Sequence, residues 1–184
     1  VSVFYAISLP DVYKSEALLM SNSQNESGGQ VGGISNQLGG LASLAGINIG
    51  SNSVDKTEYA LAIMKSRQFI YTFIEKNNLK KNLIATMGWD KSSKQLIYNK
   101  EVLDTIKSGS GVTPSLHDIY LSFLSNNIAI HRDDGTGLVN IASYHYSPYF
   151  AQEVVNLLIS DINETIKSQE MEEASKSISY LKSE

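Results

Sequence analysis

The sequence predicts an α+β fold: a small mixed or antiparallel sheet packed by helices, forming an α/β base from which a long C-terminal helix projects. Three features predict it. Alternating stretches at 12–21 and 128–146 supply strands. Apolar residues at three- and four-residue spacing in 55–78 and 114–127 supply helices to cover them. The chain after Pro148 contains no Gly and no further Pro, so no breaker residue stops a helix there.

The composition suits one domain. With 184 residues, 42% of them hydrophobic, the chain can bury a real core. Charged residues make up only 18% and the net charge is -4, so no basic field exists to hold a nucleic acid. Two arginines, Arg67 and Arg132, are too few for a dedicated phosphate clamp. The absence of cysteine excludes disulfides, thiolate zinc sites and Cys nucleophiles. No internal run reaches the roughly 18 apolar residues of a membrane span.

The stub at 1–9 reads either as an ordinary first strand or as the cut end of a membrane anchor. It lacks the basic start and small-residue cleavage site of a signal peptide. Pro10 then biases Leu9 toward extended backbone. The strand at 12–21 sets Tyr13, Ala17 and Leu19 against Lys14 and Glu16; Leu18 and Met20 predict a far half covered on both faces. A Gly-, Ser- and Asn-rich loop follows, then a short marginal helix carrying Ile34, Leu38, Leu41 and Ala45 and ended by Gly46.

The helix at 55–78 places Tyr59, Ile63, Ile70, Phe73 and Ile74 on one face, with Asn77 and Asn78 to stop it. A second short helix spans 80–87. Residues 88–100 read as a loop around Trp89, and 108–114 as an exposed connector. The helix at 114–127 gathers Leu116, Ile119, Tyr120, Phe123 and Leu124. A hairpin then pairs 128–133 with 138–146 through Asp134-Gly135-Thr136-Gly137.

Ser147 followed by Pro148 is a strong helix start. From Pro148 onward the helix reaches about 55 Å at roughly 1.5 Å per residue, longer than a small domain is wide. Val154, Val155, Leu158, Ile159, Ile162 and Ile166 form its rich apolar face. Across 167–177 only Met171 and Ala174 are apolar, and Ile178, Tyr180 and Leu181 restart the stripe. The base is therefore assigned to 10–166 and the start of an extended, outward-projecting helix to 167–184.

Reaction chemistry is scarce. No P-loop signature occurs. The glycines of "GGQVGG" (28–33) lack the strand-to-helix setting of a dinucleotide site. His117, His131 and His145 have no ligand spacing, so no metal site is assigned. His131 with Asp133 and Asp134 reads as a solvated hairpin end. No G-x-S-x-G elbow is present. Neither a catalytic residue nor a cofactor is nominated.

Four segments in order, "SLPDVYKSEALL", "IMKSRQFIYTFIEKNNL", "GLVNIASYHYSPYFAQEVVNLLISDIN" and "SISYLKSE", resemble the Wzz-type chain-length determinants, the polysaccharide co-polymerases. "GGLASLAGI" is similar to what several members carry after the first strand. The resemblance implies a periplasmic domain held at the bacterial inner membrane by flanking spans absent from this sequence, and assembled side by side into homo-oligomeric rings. It implies a non-enzymatic scaffold that sets the chain length of O-antigen, capsule or a related polysaccharide. Its partners would be further copies of itself, a polymerase and the growing polysaccharide, with no nucleic acid. A kinase-coupled exporter of the same broad kind is the nearest rival.

On this reading the candidate oligomer interface is Leu38, Leu41 and Leu44 of the Gly-rich helix with Met171, Ala174, Ile178 and Leu181 of the last one. A reading of a different class is a carbohydrate-binding module with Trp89, Tyr144 and Tyr146 as its sugar contacts; Tyr149 joins the two tyrosines as a stacking surface, unless the three simply mark a strand edge entering a helix.

Overall fold

A computed structural model describes residues 10–20, 56–109 and 113–183. The expectations for the N-terminal stub, the Gly-rich loop with its short helix, and residues 110–112 of the connector lie outside the described residues.

The architecture is mixed, as the residue pattern predicts. Strand β1 (Tyr13–Leu19) pairs antiparallel with β5 (Val139–His145), and β5 pairs antiparallel with β4 (Ile128–Arg132), giving the order β1-β5-β4. Register places Tyr13 opposite His145 and Leu19 opposite Val139 on one side of β5; Ile130 sits opposite Ile141 on the other. Alternation then turns Ile128, Ile130, Val139, Ile141, Ser143 and His145 to the core. Lys14 and Glu16 point away from it and pair with each other.

The far half of β1 departs from expectation. Leu18 is 61% exposed and Met20 80%, so that half is covered on one face only. The two-residue period simply continues: Ala17 and Leu19 pack on the core while Leu18 takes the other side.

The predicted helix at 55–78 is two helices, α1 (Lys56–Lys65) and α2 (Arg67–Lys76). Ser66 breaks them. Its backbone is extended (φ -68°, ψ 146°), and its hydroxyl oxygen accepts from the Phe69 N–H at 3.3 Å, capping α2. The break re-aims α1, so that Thr57, Leu61 and Met64 are buried and Tyr59 faces outward. Phe69, Ile70, Phe73 and Ile74 of α2 enter the core directly.

Asn77 and Asn78 end α2 as expected. Asn77 donates from Nδ2 to the Phe73 carbonyl at 3.0 Å, and Asn78 takes a left-handed conformation with φ 53°.

Helix α3 (Lys80–Ala85) runs straight into a region predicted as loop. There the chain forms a second sheet, β2 (Thr86–Asp90) with β3 (Gln95–Tyr98), followed by α4 (Lys100–Ser108). Helix α4 carries its own start and stop. Asn99 accepts from the N–H groups of Glu101 and Val102, and Gly109 closes the end at φ 65°.

Helix α5 (Leu116–Ser122) opens on a capping box. Ser115 accepts from the Asp118 N–H, and the Asp118 carboxylate accepts from the Ser115 N–H. A π-helical turn (Phe123–Asn127) links it to β4 and buries Phe123. In the β4–β5 turn, Asp133 accepts from the N–H groups of Gly135 and Thr136, and Gly137 supplies the positive φ of 71°.

Helix α6 (Pro148–Ser183) closes the fold. Phe150, Ala151, Val154, Val155, Leu158 and Ile162 recur at three and four residues and join the core, where α6 packs against β1, β5 and α1. Buried Asp161 locks α6 to the end of α2, accepting from Lys76 Nζ and Asn77 Nδ2, each at 2.8 Å. The lysine's bond to Asp161 and a second one to Glu164 hold the Lys76 ammonium well above the usual lysine range.

Candidate functional site

Two surfaces stand apart from the core. The first is the outer length of α6. Near its start the Tyr59 hydroxyl of α1 donates to Gln169 Oε1 at 3.2 Å. From Glu170 onward every described side chain of α6 is exposed. Met171, Ala174 and Ile178 lie at i, i+3 and i+7 and so share one face. Met171 is 65% exposed and Ile178 54%, a strip of apolar surface that the core formed by the described residues does not cover. Leu181 belongs to the same helix, but its side chain lies outside the described ones. Leu38, Leu41 and Leu44 also lie outside the described residues.

The second surface is a groove of about 460 Å³ between the β2–β3 hairpin and the first turns of α6. Its aromatic floor is not the trio of Trp89, Tyr144 and Tyr146 expected from sequence. Trp89 meets Tyr149 instead, with ring centroids 5.7 Å apart and planes inclined at 52°. Tyr144 sits on the outer face of β5, opposite Lys14 in register, while its neighbours Ser143 and His145 face the core. Tyr146 packs edge-on against the ring of His145. Neither tyrosine lines the groove.

Trp89 reaches the groove through an irregularity in its strand. Thr86 pairs with Tyr98 but Gly88 pairs with Ile97, so Met87 is an extra residue, a β-bulge. The bulge shifts the parity of β2 and puts Trp89, opposite Leu96, on the same face as Tyr98.

The hairpin turn beyond it is braced. The Asp90 carboxylate accepts from the hydroxyls of Ser92 and Ser93 and from the Ser92 N–H, which hold it far below the usual carboxylate range. Lys94 takes the left-handed conformation that closes the turn, at φ 52°. Its ammonium lies 5.9 Å from the Tyr149 ring centroid. At the opposite end, the Tyr98 hydroxyl donates to Asn82 Oδ1 at 2.8 Å, and burial pushes its phenol up.

His145 ties this region to the sheet. Its Nδ1 accepts from the Ser147 N–H at 3.1 Å, so Nε2 carries the proton and donates to the Asn82 carbonyl at 3.2 Å. The ring is buried against Phe150, and burial pushes its pKa down. Sequence reasoning missed this role, although a histidine just before a Ser-Pro helix start is a visible signal. His131 is exposed beside Asp133, whose carboxylate is engaged by the turn. His117 hydrogen-bonds Tyr71 at 3.4 Å on the surface.

Among the described residues no His, Asp and Glu cluster suits a metal ion, and no helix is long and apolar enough to cross a membrane. No protein-family model matches the chain, and no curated protein matches it.

Proposed function

We propose that this chain is a non-enzymatic, self-assembling scaffold of the Wzz type, lying on the periplasmic side of a bacterial inner membrane. There it regulates the length of a surface polysaccharide made by a partner polymerase. The observation that carries the reading is the exposed apolar face of α6 at Met171, Ala174 and Ile178, past the apolar residues that pack on the core of the described residues. An exposed helix with an apolar strip has little to stabilise it alone, and apolar surface on a neighbouring copy would cover the strip. Fully burying a side chain such as Met or Ile contributes about 1.5–3 kcal/mol. Repeated at every contact of a closed ring, two such residues per copy support association. The order of sequence segments described above supports the same reading.

The test joins assembly to output. The full-length protein in detergent is expected to sediment as a homo-oligomer, and the Met171→Asp/Ile178→Asp variant to dissociate at least tenfold more readily. Cells carrying that variant should lose the modal length of their surface polysaccharide on gels. A wild-type protein that stays monomeric at all concentrations, or a length profile indifferent to its deletion, overturns the reading.

A further inference from the structure

The geometry points to a saccharide-binding site in the groove between the β2–β3 hairpin and α6, taking neutral or N-acetylated pyranose units on a platform made by Trp89 and Tyr149. The inference stands on the groove itself and does not depend on assembly through α6.

The two rings are too close to admit a third between them, and their 52° inclination makes an angled aromatic wall along the groove. A pyranose has one face of C–H groups and a rim of hydroxyls. The C–H face packs on indole and phenol rings, and the hydroxyls need donors and acceptors around the edge. The groove offers both kinds. Glu153 lies one turn beyond Tyr149 on the same face of α6, and Gln95 and Lys94 flank the hairpin side. One carboxylate, one amide and one ammonium form a rim of mixed sign, which suits hydroxyls and acetamido groups better than a polyanion.

The platform is also prepared in advance. The bulge at Met87 aims Trp89, the Asp90 turn fixes the hairpin tip that carries Lys94, and the bond to Asn82 fixes Tyr98. A partner finding these groups already ordered loses less entropy on binding. Tyr149 is 54% exposed, so its outer surface is open to a ligand.

Trp89 is the only tryptophan in the chain, which makes its emission a direct reporter. Titrating the 184-residue chain with hexasaccharides of β-1,4-glucose, β-1,4-N-acetylglucosamine and α-1,6-mannose should give a saturable emission change with at least one of them. The dissociation constant should be on the order of a millimolar or tighter. Tyr149→Ala, a change at an exposed position, should weaken that binding at least tenfold. Ile97→Ser, on the other face of the hairpin, should leave it unchanged.

Absence of saturation with all three sugars up to about 20 mM, well above a millimolar constant, overturns the site. So does binding undiminished in Tyr149→Ala, or binding confined to a hexamer of uronic acids. The sedimentation of Tyr149→Ala should match wild type, so failure here and failure of the assembly reading are told apart.

Discussion

His145 joins three elements through one ring. The side chain closes β5, bonds the carbonyl of Asn82 from α3, and accepts the N–H of Ser147 at the start of α6. Only the neutral form makes both bonds, because a protonated Nδ1 cannot accept. Tyr13, opposite in register, is the titratable group facing it across the sheet; Tyr146 and Phe150 flank the ring. Burial lowers the folded pKa below the ordinary 6.5. Between those two values the unfolded chain binds more protons than the folded one. Stability therefore rises with pH through that window and is lost as pH falls through it. Urea midpoints at about pH 5 and about pH 7.5 should show this, with the lower midpoint at acid pH. His145→Gln should be less stable at neutral pH and lose that part of the slope. At the same scale, Trp89 and Tyr149 were each legible as candidate sugar contacts, Tyr149 beside Tyr144 and Tyr146, but their pairing was not. Only the docking of the hairpin onto α6 brings the two rings together.

Elements were legible where local pattern and tertiary demand agree. Ser147-Pro148 announces α6, and the alternation of 128–133 and 138–146 announces β4 and β5 within a residue or two. The stretch 88–100 failed because each strand there is short and the bulge at Met87 destroys the two-residue period. Its signals were chemical instead: an Asp followed by two serines for the turn, and Asn99 with Gly109 bracketing α4. The break between α1 and α2 failed for another reason. Ser66 sits amid good helix formers, and only the requirement that Met64 and Phe69 both reach the core makes it a cap. Ser66→Ala should cost about 1 kcal/mol in chemical denaturation without fusing the two helices, since the burial that bends the chain remains. A fused helix, seen as a gain in helical circular dichroism, would contradict that account.

At the scale of the whole molecule, burial and reach are divided along α6. Its fully buried apolar residues end at Ile162, and Ile166 is the last that packs partly on the core. A chain ending at Gln169 should accordingly unfold in one transition within about 0.5 kcal/mol of the longer one, measured by urea denaturation. A larger loss would mean that the outer length supports the base, and the division would fail. The same helix has no Gly and no Pro past its first position to bend it. A tilt of about 5° where it sits on the sheet swings the length past Ile166, roughly 26 Å, through about 2 Å at Ser183. The packed half thereby sets the aim of the far end, because no breaker residue lies between them to absorb a change of direction.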